Sequence, residues 1–296
     1  MVEILIDAAI RGSAIALLAV GLTMVQGTLS FANIAHVEFA TLAGYGAVVL
    51  TGAGLSLVAG AVLSVVAVGA IAVIFYRLLF RRLLRSGAMI AMIGSLALAI
   101  VTRALLALIF GSRPQELPTP LQRGIDVGGA LVTPSQIRLV AITVALLAIT
   151  VVVLRWTATG RSVRAVASNP DLAAVSGLNR ARVIDGVWAI SAVLAGTAGV
   201  LLTIESAASP DIGSNLLLPV FAAAIVGGLG SVWGAIWASY LLAAAEALVL
   251  RIDFGAIFDG AGYLAVTYRP AVGFVVLVAM LVLRPQGLMG RAVRRG

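Results

Sequence analysis

Few side chains in this sequence are equipped for chemistry, and they fall in four places. His36 and Glu38 stand two residues apart in the stretch Phe31 to Phe39, with Asn33 just upstream. Ionisable groups beside apolar sequence are costly unless hydrated or paired, so this trio is a candidate lining for a translocation path. Its plainer role is a cap at a membrane interface. A metal or hydrolytic dyad is disfavoured, because His36 is the only histidine and the HExxH spacing is absent. Arg103 lies well inside an apolar stretch, where insertion costs about 2.5–3.5 kcal/mol. It needs a bundle interior, water or a carboxylate, and Glu38, Glu205 and Glu246 are the candidate partners. Gly227, Gly228, Gly230 and Ser231 permit sharp turns, and backbone groups freed at a broken helix can bind ions or substrate. The plainer alternative is a tight turn between close-packed helices. No βαβ unit surrounds these glycines, so they are not a nucleotide fingerprint.

The fourth place is the arginine-dense interval Arg155 to Arg182. It carries helix punctuation that a bare loop does not need. Ser168 or Asn169 can cap a helix, Pro170 fits its first position, and Asp171 suits the positive end of the dipole. Leu172, Ala173, Ala174, Val175 and Ser176 continue the helix, and Gly177 is placed to end it. Arg161, Arg164, Arg180 and Arg182 flank it, as positive residues do on the cytoplasmic side of a membrane.

These places must be held by membrane helices. The 296 residues are 61% hydrophobic and only 11% charged, with a mean hydropathy of +1.13. A water-facing surface needs far more charge than that. The net charge of +8 points to topology and anionic headgroups rather than nucleic acid, since the arginines lie in short loops between apolar runs. Lysine and cysteine are absent. The chain therefore holds no P-loop lysine, Schiff-base amine or disulfide, and the expectation is that it carries no cofactor of its own. Any energy from ATP has to arrive from another chain.

Taken in order, apolar spans run from Ser13 to Ser30, Val37 to Thr51, Leu55 to Tyr76 and Ala88 to Phe110. Others run from Ile137 to Leu154, Ile184 to Thr203, Leu216 to Leu250 and Gly262 to Leu283. Arg77, Arg81, Arg82 and Arg85 mark the loop after the third span as cytoplasmic. Counting from that loop places the N-terminus and the Gly111 to Pro134 loop outside, while Arg284, Arg291, Arg294 and Arg295 place the C-terminus inside. The Leu216 to Leu250 segment must then start and finish outside, entering and leaving through a break at Gly227 to Ser231. The expected fold is an all-α, polytopic transmembrane bundle of about eight spans in one permease domain, residues 1–296.

The motifs resemble a known family. Gly160-Arg161, Arg164 to Ala167, Asn169-Pro170, Ala173-Ala174, Gly177 to Asn179 and Arg182-Val183 are similar to the cytoplasmic loop of branched-chain amino-acid ABC importer permeases. The resemblance continues through Gly196, Gly199 and Ala224 to Ser231, and closes with Leu283 to Arg291. Asn33, Ala35, His36 and Glu38 resemble the Asn-Phe-Ala-His-Gly-Glu pattern of the H-type subunit, followed by Gly44 and Tyr45. Val37 stands where that pattern has Gly and Ile34 where it has Phe, departures that bear on the transported compound.

The resemblance implies a permease in the bacterial inner membrane, not an enzyme. It implies pairing with a second, related permease and with two cytoplasmic ATPases that hold ATP and magnesium. An extracytoplasmic binding protein would deliver the solute. On this reading Asn169 to Gly177 is the coupling helix and transport proceeds by alternating access. Branched-chain amino acids are the default cargo, with urea, short amides and aromatic acids as alternatives. An ATP-independent channel or carrier is the competing class, against which the punctuated helix argues.

Overall fold

Apolar sequence that cannot hydrogen-bond to water must satisfy its own backbone, and this chain does so almost entirely as helices. The structure, a computed structural model, describes residues 2–119, 122–252, 262, 268–283 and 287–289. Helix α1 (Val2–Leu29) is followed by a 3₁₀ turn (Ile34–Val37) that leads into α2 (Glu38–Gly52). Helix α3 (Leu57–Phe75) continues through a π turn (Tyr76–Phe80), the short α4 (Arg81–Leu83) and another 3₁₀ turn to α5 (Ala88–Phe110). A small antiparallel hairpin, β1 (Ile125–Val127) and β2 (Ala130–Val132), sits in the loop before α6 (Pro134–Trp156). Then come α7 (Ala158–Ser168), α8 (Pro170–Val175), α9 (Arg180–Glu205), α10 (Ile212–Gly227), α11 (Val232–Val249) and α12 (Arg269–Leu283).

Among the described residues, seven helical segments are long and apolar enough to cross a membrane, while α10 and α12 are apolar but shorter. The all-α polytopic bundle expected from the sequence is the fold found. The break expected at Gly227 to Ser231 is also present, as the turn between α10 and α11. The start of the last expected span and most of the closing Leu283 to Arg291 motif lie outside the described residues.

Small side chains set how closely the helices approach. A Cβ on Gly12 would lie 2.6 Å from the Tyr240 ring, and one on Gly27 would lie 3.1 Å from the Gly230 Cα. With Gly12 in the first half of α1 and Gly27 near its end, these contacts run α1 antiparallel to α11 and the turn before it. Gly199 of α9 sits directly on the backbone of Ala40 in α2, leaving no room for a methyl group. Ser64 Oγ donates to the Ala43 carbonyl at 2.7 Å and joins α3 to α2. Where helices share an apolar solvent, such close backbone approach replaces the hydrophobic effect as the source of association.

The core thus centres on α1, α2 and α9. Towards the arginine-rich end, Trp188 of α9 is fully buried among aromatic rings. Its ring centroid lies 4.9 Å from Phe80, 5.3 Å from Tyr76 and 6.5 Å from both Phe31 and Phe39.

Two interruptions of regular helix bring distant residues together. After α1 ends at Leu29 the chain turns back, so that His36 lies beside Leu18 and Gly21. From Leu18 to Leu29 a helix rises about 16 Å, and the segment before α2 retraces that distance without regular α-helix. Helix α2 therefore begins inside the bundle. Beyond α9, Ala208 pairs with Gln115 as an isolated bridge, and α10 begins against α2 through a bond from Gly213 N–H to Thr41 Oγ1 at 3.0 Å.

Candidate functional site

The residues singled out in the sequence do not form one site. They separate into an interior hub, a polar cluster facing outward from the bundle, a glycine turn at the arginine-rich end, and the exposed α8.

The hub is His36 with Asn33. His36 Nε2 lies 3.0 Å from the Leu18 carbonyl and Nδ1 lies 3.2 Å from Ser191 Oγ. Ser191 in turn donates to the Gly21 carbonyl at 2.9 Å, so one imidazole ties α1, α2 and α9 together. Asn33 is fully buried with both amide atoms lacking a protein partner among the described residues. His36 and Glu38 are not an interface cap, contrary to the plainer expectation from the sequence. Both are buried, because α2 starts within the bundle rather than at its edge.

Glu38 belongs to the second place. Its carboxylate accepts from Thr41 Oγ1 at 3.0 Å, and Thr41 accepts in turn from the Gly213 N–H. Arg103 and Asp211 form an ion pair within electrostatic reach of Glu38. Asp211 is therefore the partner of Arg103, and none of the three glutamates expected from the sequence takes that position. Glu246 is instead buried against Arg11, with Nε and Oε2 3.5 Å apart. Asp211 occupies the N-cap position of α10 yet makes no capping bond. Thr41 supplies the acceptor in its place and leaves the Asp211 carboxylate free for Arg103. Both members of the pair are about half exposed, at 49% and 52%. Arg103 stands seven residues before the end of α5, so about 10 Å of helix lies beyond it.

The glycine turn is a separate structure. Gly228 and Gly230 take φ of +98° and +87°, which side chains resist. Gly227 and Gly234 meet backbone to backbone with no space for a Cβ on either. The carbonyls freed at the end of α10 already have partners, for Leu288 N–H donates to Val226 O at 2.7 Å and Met289 N–H to Gly227 O at 3.1 Å. Ser231 caps α11 by accepting from Gly234 N–H at 3.1 Å. Beside this turn a cavity of about 1200 Å³ opens between α1, α6 and α7, with Arg155 and Arg164 on its wall.

Helix α8 has the boundaries its punctuation implies. Asn169 Oδ1 accepts from the N–H groups of both Asp171 (3.1 Å) and Leu172 (3.0 Å), and Pro170 fills the first helical position. At the other end Gly177, with φ of +83°, donates to Ala174 O while Leu178 donates to Ala173 O. That reciprocal pair closes the helix in a Schellman motif. Ala173 faces inward, whereas Leu172 and Val175 are 62% and 87% exposed. Helix α7, which carries α8, is not anticipated from the sequence. Val163 and Val166 bury its inner face, and Gly160 lies against the carbonyls of Val153 and Leu154 at the end of α6. Among the described residues, no group of three His, Asp or Glu side chains is placed to hold a metal ion.

Residues 4–283 match the family described as the branched-chain amino acid transport system permease component. The chain belongs to this family. The permease is 31% identical to the high-affinity branched-chain amino acid transport system permease protein LivH of Salmonella typhimurium, covering 95% of this chain and 92% of that one. Identity to LivH of Escherichia coli K12 is also 31%, with the same coverage. The permease is 28% identical to BraD of Pseudomonas aeruginosa, again over 95% and 92% of the two chains. In fold it is similar to a solved structure, PsaBC from Streptococcus pneumoniae in complex with Fab, with a TM-score of 0.52 at 12% identity over 95% and 91% of the chains. Family and helices together make the permease a multi-pass membrane protein of a transport system.

Proposed function

We propose that this permease is the membrane subunit of an ATP-binding-cassette importer and carries branched-chain amino acids inward. The observation that carries the reading is α8, a short helix capped at both ends that projects Leu172 and Val175 away from the bundle. Two apolar side chains held out on a rigid helix beside arginine-rich loops make a docking knob for another protein. A push on α8 reaches α7 directly, and α7 packs on α1, α6 and α9. These helices bear on the hub at His36, so a rigid-body displacement at α8 would be felt where α2 begins.

On this reading α8 and the arginine-rich loops face the cytoplasm, the N-terminus and the hairpin face outward, and the C-terminus lies inside. Two ATPase subunits bind ATP and magnesium, a second permease chain completes the path, and a binding protein supplies the amino acid from outside. Relatives named for branched-chain amino acid transport over nearly the whole chain support the cargo. The discontinuous starts of α2 and α10 would give the alternating movement its hinges.

The test is reconstitution of this chain with its ATPase, second permease and binding protein in proteoliposomes. L-leucine uptake should require all four kinds of subunit and ATP. Uptake by this chain alone down a gradient would overturn the proposal.

A further inference from the structure

The Arg103–Asp211 pair is placed oddly for a structural staple. It joins α5 to the start of α10, a region whose other outward residues on α5 are apolar, among them Ile100, Leu105 and Leu108. An ion pair open to hydrocarbon there would forfeit the hydration of two charges, so something polar has to reach this face. The buried Glu38, bonded to Thr41, lies within reach of the pair. Asp211 does not cap its own helix, because Thr41 meets the Gly213 N–H instead. The carboxylate is thus not committed to its own helix, and its charged partner in this structure is Arg103.

We propose that Arg103 and Asp211 form a subsite for the zwitterionic head of an amino acid. The α-carboxylate takes Arg103 and the α-ammonium takes Asp211, and the pair closes on itself when the ligand leaves. Exchange of one ion pair for two keeps the charge balanced throughout, so no unpaired charge is exposed in the apolar layer. The site reads the backbone of an amino acid and ignores its side chain. This deepens the import reading and rests on it.

The natural chain has no cysteine, so a single reporter is clean. Asn215 is exposed one helical turn beyond Asp211, and its N–H donates to the Asp211 carbonyl. The experiment follows N-ethylmaleimide labelling of Asn215→Cys in the full complex, with L-leucine, L-leucinamide or 4-methylpentanoate added. Leucine should slow labelling severalfold, while the amide lacking a carboxylate and the acid lacking an amine should not. Adding Arg103→Gln or Asp211→Asn should remove the protection, and Arg103→Lys should keep part of it. Leucine uptake by the unsubstituted complex is measured in parallel. If that uptake is absent, the import reading fails. Where it is present but labelling is indifferent to leucine, or protection survives both neutral variants, the subsite is wrong and the import reading stands.

Discussion

His36 and Leu18 are joined side chain to backbone, with the imidazole Nε2 3.0 Å from the carbonyl of a residue in the middle of α1. A carbonyl can only accept, so Nε2 carries the proton, and the single Ser191 hydroxyl proton is divided between the Gly21 carbonyl and Nδ1. This places the sole histidine of the chain in the frame that holds α2 within the bundle. Replacing it with alanine should cost about 1–3 kcal/mol through unsatisfied buried groups. Thermal unfolding in detergent should show that loss. An unchanged melting temperature would remove His36 from the frame.

The contact of Gly199 with the Ala40 backbone makes a second expectation. Gly199→Ala puts a methyl group where α2 already lies, forcing α2 and α9 apart. Overpacking of this kind costs about 1–3 kcal/mol. Size-exclusion profiles of the purified variant should show less monodisperse protein. Gly186→Ala, where a Cβ meets open space on the same helix, is the control and should behave as the natural chain does.

Arg11 and Glu246 supply a test of buried charge. Glu246 is 1% exposed and Arg11 is its ion-pair partner. Arg11→Met leaves the carboxylate without that partner and should destabilise the protein by about 3–5 kcal/mol. The double variant Arg11→Met with Glu246→Leu removes both charges and should recover most of the loss. A double-mutant cycle in thermal unfolding measures the coupling, and simple additivity would contradict it.

What the sequence made legible was decided locally. Asn169, Pro170 and Gly177 act within one helical turn of the ends of α8, so the chain order alone sets the boundaries of that helix. The apolar runs likewise become helices whatever they pack against. The partner of Arg103 was not legible, because Asp211 is distant in sequence and follows a polar segment that resembles an ordinary loop. Only the way α10 starts against Thr41 brings the two charges together. Helix α7 is hard to read from the sequence because its arginines and small polar side chains break up any long apolar run. The signal was there in Thr157, which caps it, and in the inward spacing of Val163 and Val166. The burial of His36 was hidden for another reason. It depends on the chain doubling back after Leu29, a path that no local preference dictates.

Asn169 itself carries a graded expectation. Its side chain meets two N–H groups at the start of α8, and losing such a cap costs about 0.5–2 kcal/mol. Asn169→Ala should speed amide hydrogen exchange across Pro170–Val175, while Asn169→Asp, which keeps an acceptor, should not. If exchange is the same in the alanine variant, the cap does not hold α8 in shape.

The proposed drive for this permease is a partner ATPase pressing on α8. Leu172→Asp with Val175→Asp puts charge on the exposed face of that helix and leaves the inward Ala173 untouched. The most direct measurement is ATP hydrolysis by the reconstituted complex, with and without leucine-loaded binding protein, at subunit concentrations high enough to saturate assembly. The complex should still form, while stimulation by the loaded binding protein and leucine uptake are both lost. Normal stimulation together with normal uptake in this double variant would contradict the drive through α8.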